Sequence, residues 1–103
     1  MSTAVLYIVK STIGAASEAA FNRWYNEVHV PQFLRHPGAV GARRLRAIAG
    51  EDTYQYATLY EFRDERAFHE MQESQLMKDL KADFDRAFPE SRRTTAAYEQ
   101  VWP

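Results

Sequence analysis

The segment Val5-Leu6-Tyr7-Ile8-Val9 is apolar at every position. Side chains of an extended chain alternate between two faces, so such a β-branched and aromatic run reads as a strand buried on both sides. For a chain of 103 residues this is a severe demand, because both faces of the sheet must find cover. Ser17 can cap a first helix on which Ala20, Phe21, Trp24, Tyr25 and Val28 recur at helical spacing. Pro31 is expected to stop this helix near His29, since proline donates no backbone bond and disfavours helical geometry just before it. His36-Pro37-Gly38 marks a turn.

A second strand is expected from about Val40 to Ile48, with Val40, Ala42, Arg44, Arg46 and Ile48 on one face and Gly41, Arg43, Leu45 and Ala47 on the other. After a polar hairpin at Ala49–Thr53, the stretch Tyr54–Phe62 alternates cleanly, with Tyr54, Tyr56, Thr58, Tyr60 and Phe62 on one side. Asp64 caps a second helical region carrying Phe68, Met71, Leu76, Leu80, Phe84 and Phe88, broken near Ser74 and ended by Pro89. Thr94–Trp102 reads as a last strand. The order β-α-β-β-α-β predicts an α+β, ferredoxin-like domain over residues 1–103, with two helices on one face of a four-stranded antiparallel sheet. The other face keeps an apolar row. A two-fold dimer, sheet against sheet, would cover it and form a dimeric α/β barrel.

Several function classes are set aside by composition. A net charge of −1 provides no field for nucleic acid or a membrane surface. The Arg43/Arg44/Arg46 cluster is too small for a nucleic-acid footprint. With no cysteine there is no disulfide framework and no thiolate metal site. The N-terminal apolar run is too short to span a bilayer and lacks the flanks of a secretory signal, so the cytoplasm is the default compartment.

Chemistry-bearing side chains concentrate in Trp24-Tyr25-Asn26-Glu27-Val28-His29-Val30-Pro31. Tyr25 and His29, four apart, share one edge of a helix. An imidazole with an ordinary pKa near ~6.5 can act as acid, base or orienter, or can simply face solvent at a helix end. Tyr25 is either a core ring or a pocket donor to a substrate oxygen. Trp24 and Phe33 would wall an apolar cavity between the first helix and the sheet, with Phe21, Trp24, Tyr25 and Val28 facing the sheet and His29 at the rim. Tyr7 and Tyr56 are strand rings that pack either the core or that cavity. Arg43, Arg44 and Arg46 cannot all face one way, and which of them faces the pocket stays open. Arg44 suits an anion clamp, while one of the three is expected to pair with Glu61 or Glu99. Asn26 is expected to be solvated or to bond His29. His69 reads as solvent-exposed and His36 as a turn residue. No metal-ligand spacing, phosphate loop or Ser-His-Asp order is evident.

The pattern Phe21-Asn22-Arg23-Trp24-Tyr25-Asn26-Glu27-Val28-His29-Val30-Pro31, then Pro37-Gly38, Ala42-Arg43-Arg44 and Tyr56…Tyr60-Glu61-Phe62, resembles the dimeric α/β-barrel superfamily and its EthD-like small proteins. That resemblance implies a pocket between sheet and helices, with the helix-one histidine pointing into it. It also implies a range of chemistries, from cofactor-independent monooxygenases and cyclases to lactone isomerases and degradation accessories. The expectation is a cofactor-free enzyme acting by proton transfer on a hydrophobic, aromatic or polyketide-like molecule. His29 and Tyr25 would be catalytic, and Trp24, Phe33, Arg44, Tyr7 and Tyr56 would bind substrate. The alternatives are a non-catalytic dimeric binding or accessory protein, and a haem-binding relative using His29 or His69.

Overall fold

In the computed structural model, which describes residues 3–103, four strands form one antiparallel sheet in the order β2-β3-β1-β4. They are β1 (Val5–Ser11), β2 (Ala39–Arg46), β3 (Tyr56–Phe62) and β4 (Arg93–Glu99). Between β1 and β2 run a 3-10 turn (Ala15–Ser17), α1 (Glu18–Trp24), a π turn (Tyr25–His29) and α2 (Val30–Phe33). Two helices, α3 (Glu65–Gln72) and α4 (Gln75–Ala87), connect β3 to β4. The fold is ferredoxin-like, in the βαββαβ order that the periodicities require.

The all-apolar strand occupies an interior position, flanked by β3 through Val5↔Phe62 and by β4 through Val5↔Glu99. Val5, Tyr7, Val9 and Ser11 are buried on the helix-covered face, together with Tyr56, Thr58, Tyr60 and Phe62 of β3. Their neighbours Leu6, Ile8, Ala57 and Leu59 alternate onto the open face. On β2 the register Ala42↔Tyr60, Arg44↔Thr58 and Arg46↔Tyr56 turns these three toward the helices. A register shift between Ala39 and Gly41 overturns the expected placing of Val40: the bulge buries Ala39 and leaves Val40 55% exposed. Ile48 lies past the end of β2 and is exposed. The third strand starts two residues later than expected. There Gln55 bridges the Ile13 backbone, accepting from its N–H at 2.8 Å and donating to its carbonyl at 2.7 Å. The last strand stops at Glu99, so Val101 and Trp102 project beyond it.

The second helical region breaks where Ser74 predicted. Asp64 Oδ1 accepts from Ala67 N–H at 2.8 Å to start α3, and Ser74 Oγ accepts from Met77 N–H at 3.1 Å to start α4. Ser17 stands at the N-cap of α1, but its hydroxyl makes no capping bond.

Pro31 does not end the first helix. The chain remains helical through Phe33 because the π turn intervenes, with Val30 N–H donating to the Tyr25 carbonyl five residues back. In α register a proline ring strikes the carbonyl four residues earlier. The wider turn takes that carbonyl out of register, and Pro31 sits in the first turn of α2, where a missing N–H costs nothing. The same insertion moves Val28 away from the sheet, to 40% exposed, and brings His29 inward, to 7%.

Gly38 closes the turn into β2. Its N–H donates to His36 Nδ1 at 3.1 Å, which makes His36 a turn residue, and a Cβ here would lie 2.6 Å from Ala67 Cβ. Gly38→Ala is therefore expected to destabilise the fold by about 1–3 kcal/mol through overpacking. A lowered midpoint in urea denaturation with an unchanged slope is the expected reading.

Candidate active site

The π turn carries Tyr25 and His29, both buried. In an α-helix the fifth residue on lies about 140° around the axis. Here Trp24 and His29, five apart, stack with ring centroids 4.6 Å apart and planes 20° from parallel. Tyr25 meets His29 edge-on at 5.0 Å, and Phe84 of α4 closes on the imidazole at 5.6 Å. Three aromatic rings thus fix the histidine inside the protein. π turns of this kind recur at functional sites.

Beneath the turn, between sheet and helices, lies a cavity of about 50 Å³ open to the centre of a water-sized sphere. That is room for a few waters or the head of a small molecule. Tyr25, His29, Phe33 and Tyr7 line it, as does Tyr60. Its apolar wall is completed by Met77, Leu80 and Phe84, and Lys81, Arg93 and Thr95 lie at the side where α4 and β4 part. Nδ1 of His29 is buried with no protein partner, and the buried hydroxyls of Tyr25 and Tyr60 approach each other, and Tyr25 also Thr58, without a well-formed hydrogen bond. Arg93 Nη1 at the cavity also has no partner, as do Ser11 Oγ and Thr58 Oγ1 on the same face of the sheet but outside the lining. Buried polar atoms are ordinarily paired, so such a concentration suits a site that supplies bonds to a ligand.

Burial sets the electrostatics. It lowers His29 to about 4, and the guanidinium groups of Arg93 and Arg44 push in the same direction. The imidazole is neutral at physiological pH. Burial raises the Tyr25 phenol above its ordinary value, while Thr58, Arg44, Arg93 and Tyr60 oppose that shift. Tyr60 is raised well above its ordinary value, again chiefly by burial. Both phenols therefore keep their protons and can donate.

Trp24, Arg44 and Tyr56 do not line this cavity. Trp24 covers the outer face of His29, and Arg44 lies behind Tyr25, its guanidinium 4.2 Å from the ring centroid. The expected ion pair with Glu61 or Glu99 is not formed. Glu61 faces the open side of the sheet, and Glu99 accepts from Thr3 Oγ1. Arg44 Nη1 donates instead to Asn22 Oδ1 at 2.9 Å and Asn26 Oδ1 at 3.1 Å, so Asn26 serves the arginine and not His29. Tyr56 belongs to the same outer network, donating to Glu18 and accepting from Asn22. Arg43 and Arg46 are exposed, and His69 lies on the surface beside Glu65. Among the described residues, no group of three His, Cys, Asp or Glu is placed to hold a metal ion. No helix among them is long and apolar enough to cross a membrane.

Residues 4–97 match the family described as domain of unknown function DUF4286. The chain belongs to this family. No functionally curated protein matches the sequence. Among solved structures, an ethyl tert-butyl ether degradation (EthD) family protein from Bacillus halodurans is 16% identical, with 96% of this chain and 99% of that one covered at a TM-score of 0.75. A DABB family protein with a ferredoxin-like fold from Mesorhizobium loti is 16% identical over 97% of this chain and 99% of its own, at 0.72. The cofactor-independent oxygenase SnoaB from Streptomyces nogalater is 19% identical over 99% and 97%, at 0.67. The EthD-like resemblance thus holds at the level of the fold.

Patterning missed Lys81, Arg93 and Thr95. Lys81 reads as the solvated side of a helix and Arg93 as the end of a loop, and the pairings Val9↔Thr95 and Ser11↔Arg93 bring β4 to the cavity. The missed arginine also contributes to the state of the histidine. Because His29 is held at about 4 against an ordinary 6.5, the unfolded chain binds its proton more readily in between. Stability is expected to be full above about pH 6.5 and to fall as pH drops, losing on the order of 3 kcal/mol once about pH 4 is passed. His29→Gln should remove that increment of acid sensitivity, read as urea midpoints compared at about pH 7 and about pH 4.5.

Proposed function

We propose that this protein is a small cofactor-independent enzyme that moves a proton on a hydrophobic, aromatic or polyketide-like molecule. His29 acts as the base and Tyr25 holds the substrate oxygen. The observation that carries this reading is the uncharged, buried imidazole beside two protonated phenols at one cavity. Abstraction of a proton next to a carbonyl leaves an enolate, and the O–H groups of Tyr25 and Tyr60 can donate to its oxygen. Return of the proton to another carbon gives isomerisation or cyclisation, and departure of a leaving group gives a lyase. Reaction of the carbanion with dioxygen gives oxygenation, the activity class of the Streptomyces nogalater protein of like fold. A volume of about 50 Å³ takes the reacting end of such a substrate.

Turnover of a panel of aromatic and polyketide-like ketones by the pure protein tests the reading. His29→Gln is expected to lower kcat/KM by about 10²–10⁴-fold, and Tyr25→Phe by about 10²-fold. In the wild type kcat/KM should fall as pH drops through about 4, where His29 takes up its proton. Undiminished turnover in the His29 variant would overturn the assignment and leave a binding role for the cavity.

The working form is a homodimer through the open sheet face. Leu6, Ile8, Ala57 and Leu59 supply a contiguous apolar row there, extended by Leu45 at 50% and Tyr98 at 57% exposed. A molar mass near twice 11.9 kDa in solution is expected. Leu59→Asp should return it to the single-chain mass, and a wild type that is monomeric at micromolar concentration would defeat the proposal.

A further inference from the structure

The cavity carries charge of one sign. Arg93 and Lys81 line it, and no carboxylate among the described residues does. Arg93 lies with its guanidinium 4.1 Å from the Phe84 ring centroid, and its Nη2 donates to Asp85 at 3.0 Å on the outside. Its Nη1 is buried and meets no protein acceptor. A guanidinium in this position has one edge satisfied and one edge free. Placing a buried cationic donor without an acceptor costs free energy, and an arriving anion recovers it through a charge-assisted bond.

We propose that this cavity selects an anionic small molecule, with a carboxylate or an equally compact oxyanion bound by Arg93 and Lys81 and its apolar body against Met77, Leu80 and Phe84. The proposal rests on the cavity's being the ligand site of the proton-transfer reading, and it adds the class of ligand and two residues outside the proton-transfer pair. Scale agrees with it: a cavity of about 50 Å³ accepts a carboxylate head, and the apolar lining accepts the hydrocarbon attached to that head. Electrostatics agrees as well. Arg93 and Arg44 both oppose protonation of His29, and an anion beside the ring offsets that field and moves the base back toward its ordinary range.

Calorimetric titration with benzoate and with its neutral counterpart benzamide tests the proposal. Wild type should bind benzoate at least tenfold more tightly than benzamide. Arg93→Gln should weaken benzoate about 10–100-fold and leave benzamide unchanged, with Lys81→Gln a smaller loss in the same direction. Asp85→Asn, which removes the ion pair but keeps the donor, should retain or tighten benzoate binding. If Arg93 mattered only as a structural tie to Asp85, that variant would lose binding like Arg93→Gln. Equal affinity for the two probes, no benzoate binding at millimolar concentration, or equal losses of both probes in a folded Arg93→Gln protein each overturns the proposal. Proton transfer is judged separately: benzoate binding that depends on Arg93, with ketone turnover indifferent to His29→Gln, would sink the catalytic reading and keep the anion site.

Discussion

One extra residue in the first helix sets the arrangement of the site. The π turn at Tyr25–His29 rotates everything after it relative to an α-helix. This single displacement has three consequences. Pro31 passes without breaking the helix, Val28 is turned out, and His29 is turned in to stack on Trp24. An uninterrupted α-helix would have put Val28 on the sheet and left His29 at the rim as a solvated base. Burial that lowers its pKa would then be absent, and so would the cavity's only imidazole.

The buried imidazole lies in the field of two arginines, neither of which answers to a carboxylate on the cavity side. Arg44 stands behind Tyr25, tied to two asparagine carbonyls, which hold the guanidinium without neutralising it. Arg93 is braced on Phe84, with its acid partner outside. Burial disfavours the charge on Arg44, and the rings of Tyr25, Tyr56 and Tyr60 oppose that effect. The resulting environment disfavours positive charge on His29 and favours negative charge on an oxygen near Tyr25 and Tyr60. A site that generates an enolate needs that polarity, since donors aimed in advance at developing charge need not reorganise during reaction.

The fold was largely legible from periodicity. Alternation in Tyr56–Phe62, the unbroken apolar run of β1 and the caps at Asp64 and Ser74 each report a local physical preference that tertiary structure left intact. The misses have local causes too. The Val40 bulge slips the face of a strand by one residue, and Gly41 beside it is the one local sign of a bulge, which strict alternation passes over. The π turn carries no composition of its own, so helical counting fails from Val28 onward. Tyr25, His29, Tyr7 and Phe33 lie where an apolar helix face and an apolar strand face had to meet. Arg44 and Tyr56 share the helix-facing side of the sheet but lie across Tyr25 from the cavity, and a face assignment alone cannot show which side of a neighbouring ring a side chain takes. Arg93 was out of reach because its place at the cavity depends on a strand pairing 82 residues away in sequence, Ser11↔Arg93.

β1 links the two surfaces of the sheet. Tyr7 and Val9 line the cavity, while Leu6 and Ile8, one residue away, face the open side. The strand therefore cannot shift its register without exchanging cavity wall for outer face. Its pairing with β3 on one edge and β4 on the other fixes that register. β4 has a different position: from Thr94 to Glu99 its residues are exposed on both faces, because the helices do not extend over it. This uncovered strand beside α4 is what leaves the cavity a mouth at Thr95 and Arg93, in a chain otherwise short enough to close its core completely. The cavity thus opens where the sheet is one strand wider than its helical cover.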